Sequence, residues 1–354
     1  MNLQFWLAVF GTVNCIALPC LMLILVYFQL PKRIKCDFRE KHALVTGGSK
    51  GIGKAVAIEL LKRGCRCVTI VARNLDTLIK TAEELAAFCR EDQFVQYFPL
   101  DVSAGYDKVE SVVRMAEEAA RAIMFSSESA SITADGHVDI LVNNAGTVVQ
   151  GAFDEIDIDA FEGQMKTNYL SYVHVTRAVI RGMKSHNSGH LAFVSSAAGQ
   201  CALWGYCAYS PSKFAIRGLA DALHMELLPY NIGVTVLYPP NTNTEGFHEE
   251  LKAMPQEIRE ISQAAGLFSA TDVARQLADR MATGDYTASV GLEGWMLSVL
   301  TMGAAPEPNF LASIFQIVLG GILRGIMIIY IGTFNTIVQR CHLKRIRDNL
   351  KDTN

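Results

Sequence analysis

Charged residues are scarce in this chain, and its cysteines lack the spacing of a metal site. Only 19% of the 354 residues are charged and half are apolar, against about 25% charged in an ordinary soluble domain. This balance excludes a disordered chain, and the net charge of −3 offers no basic surface, so no nucleic-acid partner is expected. The nine cysteines include no CxxC pair. We therefore expect free thiols in a reducing compartment and no metal.

The first 30 residues contain no charged side chain at all. From Leu3 to Phe28, 21 of 26 residues are apolar, and about 20 suffice for a helix to cross a bilayer. A cleaved signal peptide is the alternative, but it has a positive start and an apolar core of about 7–15 residues. Lys32, Arg33 and Lys35 follow directly. The sequence thus predicts a membrane anchor at residues 1–30, with the bulk of the protein on the cytosolic side.

A second apolar stretch lies between Glu307 and Arg340, and its only charge is Arg324. A single crossing would carry the basic cluster that begins at Arg340 to the lumenal side. It would also leave Arg324 near the hydrocarbon centre, where a charge is costly. A re-entrant hairpin or an interfacial helix avoids both problems. We therefore expect residues 291–340 to attach to the membrane in one of these two forms, followed by a basic cytosolic tail at 341–354.

Between these ends, β-rich runs alternate with helical runs. Strands are predicted at 42–46, 66–71, 95–100, 140–142, 190–194 and 234–238, and helices at 54–63, 75–89, 106–123, 160–183 and 209–228. Such alternation predicts an α/β fold, a single Rossmann-like doubly wound parallel sheet with helices on both faces. No change in composition divides residues 37–290, so we interpret them as one domain. The stretch 126–136, rich in Ser and Ala, is expected to be a loop far from any site.

The first predicted strand ends in a glycine-rich turn, Thr46-Gly47-Gly48-Ser49-Lys50-Gly51-Ile52-Gly53, and a helix follows. Glycine lets the backbone approach a pyrophosphate, which the free N–H groups of a helix N-terminus then bind. The position between a strand and a helix strengthens this interpretation. The spacing Thr-Gly-x-x-x-Gly-x-Gly resembles the short-chain dehydrogenase/reductase family. The expected cofactor contacts here are Gly47, Ser49, Lys50, Gly51, Ile52 and Gly53.

The end of the second strand indicates which dinucleotide binds. An acidic residue at this point holds the ribose 2′-hydroxyl of NAD, whereas a basic residue accommodates the 2′-phosphate of NADP. Here the strand ends in Val71-Ala72-Arg73, with no acid. Arg73 can form charge-assisted hydrogen bonds to phosphate, and Lys50 in the glycine turn adds a second positive charge. The prediction is therefore NADPH.

Further motifs follow in the order of that family. Tyr209 and Lys213, four residues apart, share one face of a predicted helix, and Ser196 precedes Tyr209 by thirteen residues. The resemblance implies that these three residues and Asn168 are catalytic, with Ser195 as the alternative to Ser196. It also implies that Tyr209 and Lys213 touch the cofactor, together with Asp101, Val102, Asn144, Ala145, Gly146, Pro239 and Thr242. Thr244 is the alternative to Thr242.

These residue types suit the reduction of a ketone. A free tyrosine has a pKa near 10, and a nearby ammonium such as Lys213 is expected to lower it toward the working range. Tyr209 would then be the general acid, and Ser196 would hydrogen-bond the carbonyl oxygen as its charge develops. The resemblance implies that Asn168 holds a water molecule, which links Lys213 to solvent.

The resemblance narrows to a subgroup of the family that reduces long-chain 3-keto sphingoid bases during sphingolipid synthesis at the endoplasmic reticulum. The matching stretches are 71–74, 168–170, 195–200, 209–219, 238–244 and 295–298; Pro239-Pro240 replaces the Pro-Gly usual in the wider family. Such a lipid stays in the bilayer, so we expect the apolar residues around 247–254 and 295–302 to form a lipid-facing entrance, with the catalytic domain facing the cytosol.

Two alternatives stay open for the function. One is another membrane-bound reductase, acting on a steroid, a retinoid or a 3-ketoacyl thioester. The other is a nucleotide-binding scaffold without activity, against which the complete set of Ser196, Tyr209, Lys213 and Asn168 argues. A homodimer is also left open, because members of the family often pair through two long helices.

Overall fold

The computed structural model describes residues 17, 19–126, 135–263 and 266–352. Short apolar runs form strands because a parallel sheet covered on both faces buries most side chains of its inner strands. The strands are β1 (His42–Thr46), β2 (Cys67–Ala72), β3 (Phe94–Pro99), β4 (Ile140–Asn143), β5 (Gly189–Val194), β6 (Ile232–Tyr238), β7 (Thr242–Asn243), β8 (Phe268–Ser269) and β9 (Thr287–Ser289).

Helices connect these strands and cover both faces of the sheet. They are α1 (Gly51–Lys62), α2 (Leu75–Ala86), α3 (Tyr106–Ser126), α4 (Ile158–Met165), α5 (Ser171–Ser185), α6 (Tyr209–Leu227), α7 (Glu245–Lys252), α8 (Gln256–Ser262), α9 (Ala270–Thr283), α10 (Gly291–Thr301) and α11 (Phe310–Asp352). One core packs α1, α2 and α9 against the sheet, around Leu60, Leu78 and Leu277. The other packs α3, α5 and α6 against the opposite face, around Val112 and Ile216.

Seven strands form one parallel sheet in the order β3-β2-β1-β4-β5-β6-β9, and β7 and β8 form a separate parallel pair. Strand β1 pairs with both β2 and β4, so the order reverses between β1 and β4. A crevice opens at such a point, beyond the carboxyl ends of the strands. The predicted doubly wound α/β fold is thus confirmed. The sequence analysis missed β9, whose three residues are too short to show a pattern.

The single long helix predicted at 160–183 is interrupted. Helices α4 and α5 are joined by a π-helical turn, Lys166–Leu170, in which the chain accommodates one extra residue per turn. Asn168 lies in this turn and is fully buried. Apolar periodicity does not reveal a π turn, because the helix continues on both sides of it.

The C-terminal apolar stretch forms one continuous helix, α11, of 43 residues. A continuous helix does not fit the re-entrant hairpin, one of the two expected forms of attachment, and residues 341–352 extend the same helix. The cytosolic location of this basic end stays a prediction. Isolated glycines cost a helix about 1 kcal/mol each but do not break it, and no proline follows Pro308. Among the described residues this is the one helix that is long and apolar enough to cross a membrane. The finding indicates membrane association.

Helix α11 contacts the α/β domain near both of its ends. Near its start, Phe315 packs edge-on against Trp295 of α10, with 6.1 Å between ring centroids. Near its end, Arg340 and Arg345 pair with Glu260 and Glu257 of α8. Glu257 is almost completely buried, so the guanidinium of Arg345 neutralises a carboxylate that would otherwise be costly to bury. Helix α11 therefore lies along the domain.

Most of the expected anchor at 1–30 and the core of the expected loop at 126–136 lie outside the described residues. The described part of the anchor, Pro19–Gln29, is an apolar helix. Its Tyr27 ring lies 5.4 Å from that of Phe310, the first residue of α11. The two apolar segments of the chain thus meet at one place.

Candidate functional site

The glycine turn lies at the carboxyl end of β1, beside the carboxyl end of the parallel strand β4. Gly47 has a φ of +64°, a left-handed conformation that suits glycine. A Cβ on Gly53 would lie 2.3 Å from the carbonyl oxygen of Gly47, so the turn is as tight as its sequence predicts. The Nδ2 of Asn144 donates to the carbonyl of Thr46 over 2.9 Å and holds the turn against β4.

The N-terminus of α1 is open for an anion. Lys50 precedes the helix without a side-chain capping bond, and the first turn contains no acidic residue. Its free N–H groups and the positive end of the helix dipole therefore suit a phosphate. The Nζ of Lys50 lies 3.4 Å from the Glu245 carboxylate at the start of α7. Ile52, also in the turn, lines a cavity that contains Ser196 and Tyr209 as well.

Arg73 and Asp101 lie at the ends of the neighbouring strands β2 and β3. Arg73 is exposed, and Asn74 beside it caps α2 by accepting a hydrogen bond from the Thr77 N–H. Hydrogen bonds from Ser103 lower the pKa of Asp101, and the positive charge of Arg73 lowers it further. Val102 is buried beneath them. Together, the open helix terminus, the tight turn and the exposed cation fit a dinucleotide with an additional phosphate.

Tyr209 begins α6 and lies partly exposed in the cavity with Ser196. Burial raises the pKa of Tyr209 to about 12, although a hydrogen bond with Ser196 lowers it, and the charge of Glu250 raises it further. The lowering of this pKa by Lys213 that the sequence analysis expected is not found in the protein itself. The phenol therefore keeps its proton at neutral pH, which is the state that a general acid requires.

Lys213 lies one helical turn after Tyr209 and is buried. Its Nζ donates to the carbonyl of Val194 over 3.1 Å and lies 5.8 Å from the Tyr209 ring centroid. Burial lowers the pKa of Lys213 to about 8, against the charge of Glu250, which raises it. A Cβ on Gly146, in the loop after β4, would lie 3.4 Å from this Nζ, so a larger residue there would crowd the ammonium.

Asn168 holds the π turn to the loop that follows β4. Its Oδ1 accepts from the Thr147 N–H over 2.9 Å, and its Nδ2 donates to the Thr147 carbonyl and to Ser212 Oγ, each over 2.9 Å. Its Oδ1 would lie 3.1 Å from a Cβ on Gly146. Asn168 thus supports the loop of Ala145 and Gly146, and its expected role toward a water near Lys213 stays a prediction.

The structure separates the two neighbouring serines. Ser195 is buried, and its Oγ donates to the Lys213 carbonyl over 2.9 Å. Ser196 instead lines the cavity, and its Oγ accepts from the Ala198 N–H over 3.1 Å. Ser195 therefore positions α6, whereas Ser196 faces the space where a carbonyl would bind. This geometry favours Ser196 for the catalytic role.

The two neighbouring threonines also differ in their contacts. Thr242 is buried, and its hydroxyl donates to the Pro240 carbonyl over 2.9 Å. Thr244 caps α7 by accepting from the Phe247 N–H, and its Cγ2 would lie 3.0 Å from a Cβ on Gly51. Both threonines and Pro239 line the cavity. Thr244 lies closer to the glycine turn, so the choice between them stays open.

A cavity of about 280 Å³ extends from Ser196 and Tyr209 to helices α10 and α11. Its far walls are apolar and include Leu297, Leu300, Leu323, Ile326, Met327 and Phe334. Of the expected lipid-facing residues, Phe247, Met296, Leu297 and Leu300 line this cavity, but Met254 and Met302 are buried and do not line it. Trp295 packs on α11 instead. The sequence analysis did not foresee that α11 itself forms part of the wall.

Glu250 of α7 also lines the cavity, and the sequence analysis missed it. Burial raises its pKa to about 7, against the positive charge of Lys213, which lowers it. A perturbed carboxyl beside a catalytic pair is typical of a functional site.

A separate group of metal-binding side chains lies at the other end of the sheet. Asp135, His137 and His186 could hold an ion by their spacing, and the two histidine rings stack 3.8 Å apart. Asp135 and His137 precede β4, whereas the predicted catalytic residues follow the carboxyl ends of the strands. This group therefore has no part in the site around Tyr209.

Residues 41–256 match the model of a family described as short chain dehydrogenase. The chain is 44% identical over 316 residues to a Danio rerio protein named 3-dehydrosphinganine reductase, covering 89% of this chain and 90% of the relative. It is 43% identical to a Mus musculus protein named 3-ketodihydrosphingosine reductase, over 88% of this chain and 89% of the relative. A solved structure described as a short chain dehydrogenase/reductase family protein has a TM-score of 0.57 at 22% identity, covering 72% of this chain and 97% of that one, which supports the fold alone.

Proposed function

The chain belongs to the short-chain dehydrogenase/reductase family, and we propose that it reduces 3-ketodihydrosphingosine to dihydrosphingosine with NADPH. The family and the fold imply a nicotinamide dinucleotide. The names of the relatives from Danio rerio and Mus musculus supply the substrate. This reduction is a step of sphingolipid synthesis.

The observation that carries the proposal is the cavity with one polar and one apolar end. Ser196 and Tyr209 lie at the polar end, and side chains of α10 and α11 form the apolar end. A long-chain amino-ketone has the same division, with a reactive head and an alkyl tail. Each methylene that leaves water stabilises binding by about 0.8 kcal/mol. The cavity therefore suits this lipid better than a compact, polar ketone.

The residues around the ketone have distinct tasks in this proposal. The bound nicotinamide supplies the hydride that is added to the ketone carbon. Tyr209 donates a proton to the ketone oxygen, and the hydroxyl of Ser196 donates a hydrogen bond to that oxygen as negative charge develops. Lys213, whose Nζ lies 5.8 Å from the Tyr209 ring centroid, would hold the cofactor beside this phenol.

Arg73 supports NADPH rather than NADH as the reductant. Replacing Arg73 with alanine is expected to weaken NADPH binding about 10- to 100-fold, because a charge-assisted hydrogen bond contributes about 1.5–3 kcal/mol. NADH binding should change less than about twofold, since it lacks the 2′-phosphate. Titration by cofactor fluorescence measures both. Lys80→Ala, at an exposed lysine of α2, is the control; equal losses for NADPH and NADH in Arg73→Ala would contradict the assignment.

Helix α11 supports attachment parallel to the membrane. Both of its ends contact the domain, and its outer face presents the exposed apolar side chains Leu311, Val318, Ile322 and Ile329. An interfacial helix also lets the exposed Arg324 reach water. In the proposal, α11 lies in the surface of the endoplasmic reticulum membrane, with the domain on its cytosolic side. All of the contacts described above lie within one copy of the chain, so the proposal does not depend on a dimer.

The decisive experiment is an assay of the purified protein in detergent with NADPH and three ketones. They are 3-ketodihydrosphingosine, a steroid ketone and a 3-ketoacyl thioester. We expect kcat/KM to be highest for the first by at least about tenfold, which corresponds to about 1.4 kcal/mol. Absence of turnover with the first ketone would overturn the proposal, and turnover of another would assign the alternative substrate.

A further inference from the structure

The cavity carries negative charge without a basic side chain in its walls. Among the described residues that line it, the ionisable acids are Glu250 and Glu293, and there is no Lys, Arg or His. Glu293 is exposed, whereas Glu250 is half-buried beside Tyr206 and Tyr209. An acidic group in a mostly apolar cavity is costly to bury unless a partner compensates it. The cavity thus has the charge that a cationic ligand would complement.

Glu250 differs from the other acids of its own helix. Glu245 lies 3.4 Å from Lys50, and Glu249 lies 2.7 Å from Lys252, both pairs on the exposed side of α7. Within the described residues, the Glu250 carboxylate has neither a hydrogen bond nor an ion pair. The backbone of Glu250 is nevertheless held, because the Nε2 of Gln150 donates to its carbonyl over 2.9 Å. The backbone at Glu250 is therefore fixed, while its carboxylate has no partner among the described residues.

The Glu250 carboxylate is also close to the catalytic pair. Its negative charge raises the pKa of both Tyr209 and Lys213. Glu250 lines the same cavity of about 280 Å³ as Ser196 and Tyr209, so a cation bound to it would share that cavity with the ketone. Burial raises the pKa of Glu250 to about 7, and a bound cation would favour its ionised form.

We propose that Glu250 binds the ammonium group of the substrate and selects amino-ketones over other long-chain ketones. This inference rests on the proposed function. In a 2-amino-3-ketone the amine is on the carbon next to the carbonyl, so a group that binds it must lie beside the catalytic hydroxyls. Glu250 meets this requirement, whereas Glu293 lies farther out among the exposed residues of α10. A steroid or a 3-ketoacyl thioester offers no cation at this place.

The test compares two ketones of equal chain length, one with the 2-amino group and one without it. Glu250→Gln preserves shape and removes the charge. It is expected to lower kcat/KM for the amino-ketone about 10- to 100-fold, the range of a charge-assisted hydrogen bond. The ketone without an amine should lose less than about threefold. Glu250→Asp, which keeps the charge, should recover part of the loss.

Glu249→Gln is the matched control, because its carboxylate is adjacent in sequence but pairs with Lys252. NADPH binding by each variant, followed by fluorescence, reports whether the domain is folded. Equal losses on both ketones in Glu250→Gln would overturn the assignment of Glu250, as would no loss on either. If the wild-type protein reduces neither long-chain ketone, the proposed function fails instead, so the two failures are distinguishable.

Discussion

Replacing Tyr209 with phenylalanine is expected to lower kcat about 10²- to 10⁴-fold, the usual contribution of a positioned general acid. The change removes one oxygen and leaves the ring that packs 5.3 Å from Tyr206, so the cavity keeps its shape. NADPH affinity should stay within about threefold, because the glycine turn and Arg73 are untouched. Single-turnover kinetics with saturating NADPH measures the loss in the chemical step.

The pH dependence gives a second measurement for the same residue. Because burial raises the pKa of Tyr209 to about 12, the phenol is protonated throughout neutral pH. Reduction, which uses the protonated form, should therefore not require a lower pH, whereas oxidation of the alcohol, which uses the phenolate, should accelerate as pH rises. Tyr230→Phe, at the exposed end of the same segment, is the control. A Tyr209→Phe enzyme with more than about a third of wild-type kcat would contradict the role of Tyr209 as general acid.

Met327→Asp in α11 is expected to lower kcat/KM for the long-chain substrate at least about 100-fold. Met327 lines the apolar end of the cavity, and an acidic side chain there would exclude the tail. Loss of about four buried methylenes corresponds to about 3 kcal/mol, which is roughly 100-fold in affinity. A substrate with a tail of only a few carbons should lose less than about threefold, because it does not reach α11.

Leu297→Asp, on the α10 side of the cavity, should show the same dependence on chain length. Leu292→Asp is the matched control, since Leu292 is on α10 but 65% exposed. Trp295 is less suitable, because it joins α10 to α11 through Phe315. Equal losses on long and short substrates in Met327→Asp would mean that α11 only stabilises the domain and does not bind the tail.

The sequence was sufficient to predict those site residues that lie close together on one short segment of the chain. Tyr209 and Lys213 are on one helix, and the sequence also sets where that helix can start, because Pro211 is tolerated only in a first turn. The structure begins α6 at Tyr209 and so places Pro211 in that turn. The glycine turn is predictable for the same reason, since strand, turn and helix follow one another directly.

The sequence could not predict features that depend on contacts between segments distant along the chain. Glu250 is one of several acids in a short polar helix, and its burial depends on its approach to residues more than forty positions earlier. The apolar periodicity of α11 does not distinguish a face against lipid from a face against a cavity. The π turn at Asn168 was hidden because it changes the helix by one residue.

Helix α11 has a consequence for how the protein is made. Every strand of the sheet and every predicted catalytic residue precede it in the chain, and synthesis proceeds from the N-terminus, so they leave the ribosome before it. The nucleotide-binding part can therefore assemble while the lipid cavity still lacks a wall. The substrate site is completed only when α11 has been translated and Arg345 has paired with the buried Glu257. The nascent reductase would acquire its cofactor site first and its capacity for lipid afterwards, when it is already beside the membrane.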